Sequence, residues 1–408
     1  MAIKYLKTSK LSNKTVLLRP DLNCPVENGK VSDDFRLIES MPTIKLLLED
    51  HNKLIILGHL GRPKGEWKEE FSFRPVAKEL ASRLGLKFIE TKTSVPGGKE
   101  PSLIFYTGDL REDKHIQQIK NIPKKDVVFL ENIRFYPEEA EKNESFAKQL
   151  ASLADVFVQD GFGVVHHPAT SVTEVPKFIP GFVGLLLEKE IKSLEAVLKR
   201  SQHPFVVMTG GIKLSEKVGA LENLGKKADK ILVSGGVASL MFKAKGLEVG
   251  LSKIEEGETK TAWEIQKNFK DKIILPLDVV VANQAMDRDS VRVCSPYEVG
   301  KKEMMLDAGP KTILAFAAEI KKAKTIVWSG PLGLFEKSPF HHATMALARL
   351  IGGRGKGYAY VVAGGGDTVD AIVKAHQFEH IDHVSTGGGA MLEFLAGKKL
   401  PGIEVLTQ

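Results

Sequence analysis

A two-lobed α/β protein is predicted, each lobe a mostly parallel, Rossmann-like sheet flanked by helices, with a helical hinge joining the lobes. Three observations predict it. The chain has 408 residues, more than one hydrophobic core usually serves, so two domains of roughly 200 residues each are the default. Short apolar runs alternate with helically spaced segments along its whole length, the pattern of βαβ units. After a break at Pro180 and Gly181, residues 188–200 place Ile191, Leu194, Val197 and Leu198 at helical spacing, so a connecting helix is expected to divide the lobes near residue 183.

The strands are expected at 15–18, 54–57, 127–130, 156–158, 205–208, 231–233, 273–276, 325–328 and 358–362. Each is a short apolar run bounded by polar or glycine-rich residues. Helix starts are expected at Arg36, which follows Asp33 and Asp34, and at the glycine turns before 369–376 and 390–396. No solenoid period or low-complexity tract interrupts this order.

Composition narrows the class. Apolar residues make up 43% and charged residues 27%, an ordinary folded mixture. The net charge of +7 is modest for this length, and its lysines and arginines are interleaved with acids, so no nucleic-acid partner is expected. The first ten residues hold no apolar stretch fit for a signal peptide, and no run approaches the roughly 18 apolar residues of a membrane span, so a cytoplasmic protein off the membrane is expected. Cys24 and Cys294 are the only cysteines, in no metal-binding spacing.

In open α/β sheets ligands sit beyond the carboxyl ends of the strands. There the two halves differ. First-half strands lead into Arg19, Asp21 and Asn23, then His59 and Arg62, then Glu131, Asn132 and Arg134, then Asp160, His166 and His167. Several guanidinium groups on one lobe imply a small multianionic substrate, because arginine recognises phosphate and carboxylate bidentately. Second-half strands lead into glycine turns: Gly210 and Gly211, Gly235 and Gly236, Gly330 before Pro331, and Gly364 to Gly366.

Neither the Walker A pattern nor G-x-G-x-x-G occurs, so P-loop enzymes and dinucleotide-dependent dehydrogenases are disfavoured. The GGGDT turn at 364–368 brings bare backbone N–H groups and a helix start against an anion, and Asp367 can hold a magnesium ion that bridges phosphate oxygens. A second nest, Gly387, Gly388 and Gly389, repeats the arrangement some 20 residues on. Lys213, in the turn after a buried strand, and Lys217, one helical turn farther, can each neutralise a transferring phosphoryl group.

Together these stretches resemble the phosphoglycerate kinase family in order and over essentially the whole chain. RPDLN at 19–23, the DDFR ending at Arg36, HLGRPKG at 59–65, FLENIRF at 129–135, DGFGVVH at 160–166, GGIKLSEKV at 210–218, LPLDVVVA at 275–282, DAGPKT at 307–312, WSGPLGLFE at 328–336, GGGDT at 364–368 and HVSTGGGA at 383–390 carry the resemblance. It implies a glycolytic phosphotransferase with a carboxyl acceptor, moving phosphoryl between 1,3-bisphosphoglycerate and MgADP to give 3-phosphoglycerate and MgATP. It also implies a monomer whose amino-terminal lobe, 1–183, takes the triose acid. The lobe at 184–391 would take the nucleotide, and the tail at 392–408 would return to the first lobe.

Residue by residue, the resemblance assigns the acid to Asp21, Asn23, Arg36, His59, Arg62 and Arg134, with His167 where the family usually has arginine. The nucleotide is assigned to Gly211, Lys213, Lys217, Gly235, Gly236, Pro331, Glu336, Gly365, Gly366, Asp367 and Thr368, with Asp367 at the magnesium ion. Arg36 and Lys213 are expected to stabilise the transition state, and a hinge closure to bring donor and acceptor together. Ser329 stands where the family usually has asparagine, and Ser234 and Ala343 where it has glycine. Two other readings remain open: a non-catalytic nucleotide-binding paralogue, and a kinase for a different small acid.

Overall fold

The computed structural model describes residues 3–9, 11–93 and 98–407. They fall into two compact units. The first runs to residue 191 and takes back the chain from 399 onward, and the second is 192–398.

In the first unit β1 (Thr15–Arg19) leads to a small hairpin of β2 (Val26–Glu27) and β3 (Lys30–Val31). Then come β4 (Lys53–Ile56), β5 (Lys87–Thr91), β6 (Ser102–Tyr106), β7 (Val127–Leu130), β8 (Val156–Gln159) and β9 (Gly181–Val183). Seven of these form one sheet in the order β5-β6-β7-β4-β1-β8-β9, with every pairing parallel. Strands β4, β7 and β8 are buried at each residue. Helices cover both faces of such a sheet, so its central strands read as unbroken apolar runs. Phe73 packs edge-on against Phe129 at 5.2 Å in the core beneath the carboxyl ends. The helix Phe35–Glu49 starts where Asp33 Oδ1 accepts from Phe35 N at 2.9 Å, which sets Arg36 in its first turn.

The second unit contains β10 (Phe205–Thr209), β11 (Lys230–Val233), β12 (Ile273–Ile274), β13 (Val279–Asn283), β14 (Arg292–Cys294), β15 (Glu303–Ala308), β16 (Thr325–Ser329), β17 (Tyr360–Gly364) and β18 (His383–Ser385). Its parallel sheet runs β12-β11-β10-β16-β17-β18. In order of appearance that is the doubly wound order whose switch point, between β10 and β16, opens a crevice at the carboxyl ends. An antiparallel sheet, β14-β13-β15, is added beside it.

Several boundaries differ from the sequence reading. The strand expected at 273–276 pairs with β11 only through Ile273 and Ile274, and Pro276, which has no N–H, cannot extend the ladder. The strand expected at 358–362 starts at Tyr360, because Tyr358 turns outward beneath the Arg354 guanidinium, 5.3 Å from its ring centre. The connecting helix, Leu185–Arg200, starts ahead of residue 188, where Asp160 Oδ1 accepts from Leu186 N at 2.9 Å. Among the described residues no helix is long and apolar enough to cross a membrane.

Candidate active site

The carboxyl ends of β1, β4, β7 and β8 enclose a cavity of about 260 Å³ in the first unit. It is lined by Asp21, Asn23, Arg36, His59, Arg62, Arg134 and His167, as the sequence predicts, and also by Arg19, Glu139 and His166. Cross-links between loops fix its shape. Asn23 Oδ1 accepts from Gly61 N at 2.9 Å, and Arg134 Nη1 donates to Gly61 O at 2.7 Å. Asn132 Nδ2 donates to Leu60 O at 2.7 Å, so the loop after β4 is gripped from both neighbouring strands. Gly61 has φ +60°, and a Cβ there would lie 2.3 Å from the Phe71 ring, so only glycine fits.

Arg36 is held from two sides: its Nη1 donates to Asn23 O at 2.8 Å, and its Nε lies 3.4 Å from Asp21 Oδ2. A guanidinium fixed in this way loses little freedom on meeting an anion. Burial lowers the pKa of His59 well below the usual histidine value, and Arg19, Arg134, Arg36 and Arg62 lower it further. The ring is therefore neutral among cations. The His166 and His167 ring centres lie 3.9 Å apart with the rings tilted by 41°, and His167 is exposed at the rim.

The second cavity, about 510 Å³, lies at the switch point of the second unit. Three glycine turns pack on one another there. Gly211 N donates to Pro331 O at 2.9 Å, Gly210 N to Ser329 O at 3.1 Å, and Val237 N to Gly211 O at 3.0 Å. A Cβ on Gly210 would fall 1.9 Å from Pro331 O, so this close approach requires glycine. Gly211, Lys213, Lys217, Gly235, Gly236, Pro331, Glu336, Gly365, Gly366, Asp367 and Thr368 all line the cavity. Of the second nest, Gly388 and Gly389 line it, while Gly387 caps the helix Gly388–Leu395 behind them. The two nests touch, since a Cβ on Gly388 would lie 3.2 Å from Gly365 Cα.

The side chains divide the work. Lys213 extends outward and pairs with Glu216 at 2.7 Å. Lys217 is buried, its Nζ donating to Lys213 O at 3.3 Å. Burial lowers its pKa, opposed by Glu216 and Asp367. The Thr368 hydroxyl accepts from Gly330 N at 2.7 Å, fixing the turn after β16. Asp367 presents an exposed carboxylate in the first turn of the helix Gly366–Lys374. A lone hard oxygen donor beside a phosphate nest fits magnesium, which is commonly held by one or two carboxylates plus substrate phosphates.

Sequence reasoning missed Glu139 and Ser171, which pack behind Arg19, and Asp307, which stands behind the second cavity. Asp307 Oδ2 accepts from Ala343 N at 3.1 Å and Oδ1 from Ala308 N at 2.9 Å. A Cβ on the cavity residue Gly333 would come within 2.3 Å of Asp307 Oδ1. DAGPKT held the signal for Asp307, while nothing local marked Glu139 or Ser171.

The sequence profile of the family described as phosphoglycerate kinase matches residues 6–398. The phosphoglycerate kinase of Pelotomaculum thermopropionicum is 40% identical, the match covering 100% of this chain and 99% of the relative. That of Pseudothermotoga lettingae is 41% identical over 98% of each chain. Among solved structures, phosphoglycerate kinase from Coxiella burnetii is similar with a TM-score of 0.82 and 35% identity, covering 100% of this chain and 99% of that one. The Pyrococcus horikoshii enzyme has a TM-score of 0.83 and 29% identity, covering 99% and 98% respectively.

Proposed function

Because the chain belongs to the phosphoglycerate kinase family, we propose that its arginine-rich cavity holds the triose acid and its glycine-lined cavity the magnesium nucleotide. The protein is a phosphotransferase that moves a phosphoryl group reversibly between 1,3-bisphosphoglycerate and MgADP, giving 3-phosphoglycerate and MgATP. One observation carries the assignment of sites: each cavity is complete within its own unit, one lined by guanidinium groups and the other by stacked glycine turns. The relatives named above are phosphoglycerate kinases, so a non-catalytic paralogue or a kinase for another acid is not favoured.

In the ATP-consuming direction the acid's carboxylate oxygen attacks the γ-phosphorus, and the bond to the oxygen bridging β and γ breaks. No proton need move, because a carboxylate is already ionised near neutral pH. The protein's task is therefore positioning and electrostatics. His59, Arg62 and Arg134 would orient the acid, and Arg36 would reach the transferring group from the acid side. From the nucleotide side, Lys213 and the amides of Gly365, Gly366, Gly388 and Gly389 would meet the charge on the equatorial oxygens. Asp367 would hold the magnesium ion, which neutralises phosphate charge when bound. We read the enzyme as a cytoplasmic monomer with no nucleic-acid or membrane partner.

Amide chemical-shift mapping tests the division of sites. 3-Phosphoglycerate should perturb residues around Gly61 and Arg134, and MgADP residues around Gly211, Gly235 and Gly366. Perturbation of the second-unit glycine turns by the acid alone would refute the assignment.

A further inference from the structure

We propose that Glu139, Ser171 and Arg19 form a buried positioning chain that holds His59 as a neutral donor with its proton on Nε2. The geometry is continuous. Glu139 Oε1 accepts from Ser171 Oγ at 2.6 Å, and Glu139 Oε2 from Ser171 N at 2.8 Å. Ser171 Oγ in turn accepts from Arg19 Nε at 2.9 Å, Pro20 O accepts from Arg19 Nη1 at 2.7 Å, and Arg19 Nη2 stands 3.2 Å from His59 Nδ1. All four side chains are buried.

Guanidinium nitrogens carry only donors, so His59 Nδ1 must accept, and Nε2 keeps the ring's single N–H. The charged groups named around this ring act in one direction or are already committed. Arg19, Arg134, Arg36 and Arg62 oppose protonation, while the counter-charges Glu139 and Asp21 are engaged by Ser171 and Arg36 respectively. The transfer needs no base, so a neutral donor among arginines suits an acid oxygen better than a proton acceptor would. Arg19 and the two residues behind it are thus positioning residues, acting on substrate through His59.

The inference rests on reading this cavity as the acid site, and the experiment separates the two. Nitrogen-15 spectra of the intact, ligand-free enzyme report the tautomer of His59 directly, from about pH 6 to pH 8. The expected spectrum has an unprotonated Nδ1 and a protonated Nε2 throughout. An Nδ1–H form, or imidazolium appearing in that range, would overturn the chain. Ser171→Ala removes the link between Arg19 and Glu139 and should admit the Nδ1–H form, with a several-fold rise in KM for 3-phosphoglycerate and little change in KM for MgATP. A folded Ser171→Ala enzyme whose His59 spectrum matches wild type would also overturn it. If the tautomer is as expected in free enzyme but saturating 3-phosphoglycerate leaves the Nε2 resonance unmoved, it is the reading of the acid site that fails.

Discussion

Replacing Asp307 by asparagine should flatten the pH dependence of stability in the second unit. Asp307 sits in β15 with 4% of its surface exposed. Burial pushes its pKa up to about 7, against the backbone N–H groups of Ala343, Ala308 and His342. In the unfolded chain the same carboxyl titrates near ~3.9. The folded state therefore keeps a proton that the unfolded state has already released. Stability contributed by this group is greatest at low pH and falls as pH rises through about 7. Between pH 6 and pH 8 the folded-state proton occupancy integrates to about one pH unit, so wild type should lose on the order of 1 kcal/mol from this carboxyl. Asparagine cannot titrate, and other ionisable groups are common to both proteins and cancel. The assay is urea unfolding followed by the fluorescence of the fully buried Trp328, at pH 6, 7 and 8. The difference between variant and wild type should move by on the order of 1 kcal/mol in favour of the variant across that range. Parallel stability curves would mean that the Asp307 carboxyl does not hold its proton in the folded chain. Because Asp307 abuts Gly333 at the cavity proposed for the nucleotide, the variant should also raise KM for MgADP and leave KM for the acid unchanged.

Three further outcomes are expected. Lys213→Ala should lower kcat by about a hundredfold, the usual cost of removing one donor to developing charge, and change the MgADP dissociation constant far less; unchanged turnover would exclude Lys213 from the transition state. His167→Arg should tighten 3-phosphoglycerate binding by about 1 to 2 kcal/mol in calorimetry if the rim side chain meets the substrate phosphate; identical affinity would place the phosphate elsewhere. Gly210→Ala forces a methyl group onto Pro331 O, so it should cost about 1 to 3 kcal/mol of second-unit stability by denaturant titration; an undiminished midpoint would show that the turn yields freely.

The central sheets were legible because strands buried on both faces must be apolar throughout, as in VVFL at β7 and FVVMT at β10. Of the edge and added strands only β12 was, through the run at 273–276. β5 reads KFIET with no residue fully buried, β9 has only three residues, and the three antiparallel strands β13 to β15 lie outside the βαβ rhythm that guided the reading. SLIFY at β6 is a plain apolar run, fully buried, and was overlooked. In the sites, residues directly after strands were found because the carboxyl-end rule points to them. Glu139 and Ser171 could not be found that way. Ser171 reaches Arg19 from 152 positions away and Glu139 meets Ser171 from 32, and glutamate or serine in isolation carries no signal of what it touches.

The decisive experiment is the magnesium-dependent consumption of ATP by the purified chain in the presence and absence of 3-phosphoglycerate. The prediction is turnover that requires the acid, yields an acyl phosphate trapped by hydroxylamine as the hydroxamate, and collapses in both Arg36→Ala and Lys213→Ala. ATP consumption no faster with the acid than without it, or acid-dependent turnover that survives loss of Arg36 and Lys213 alike, would contradict it.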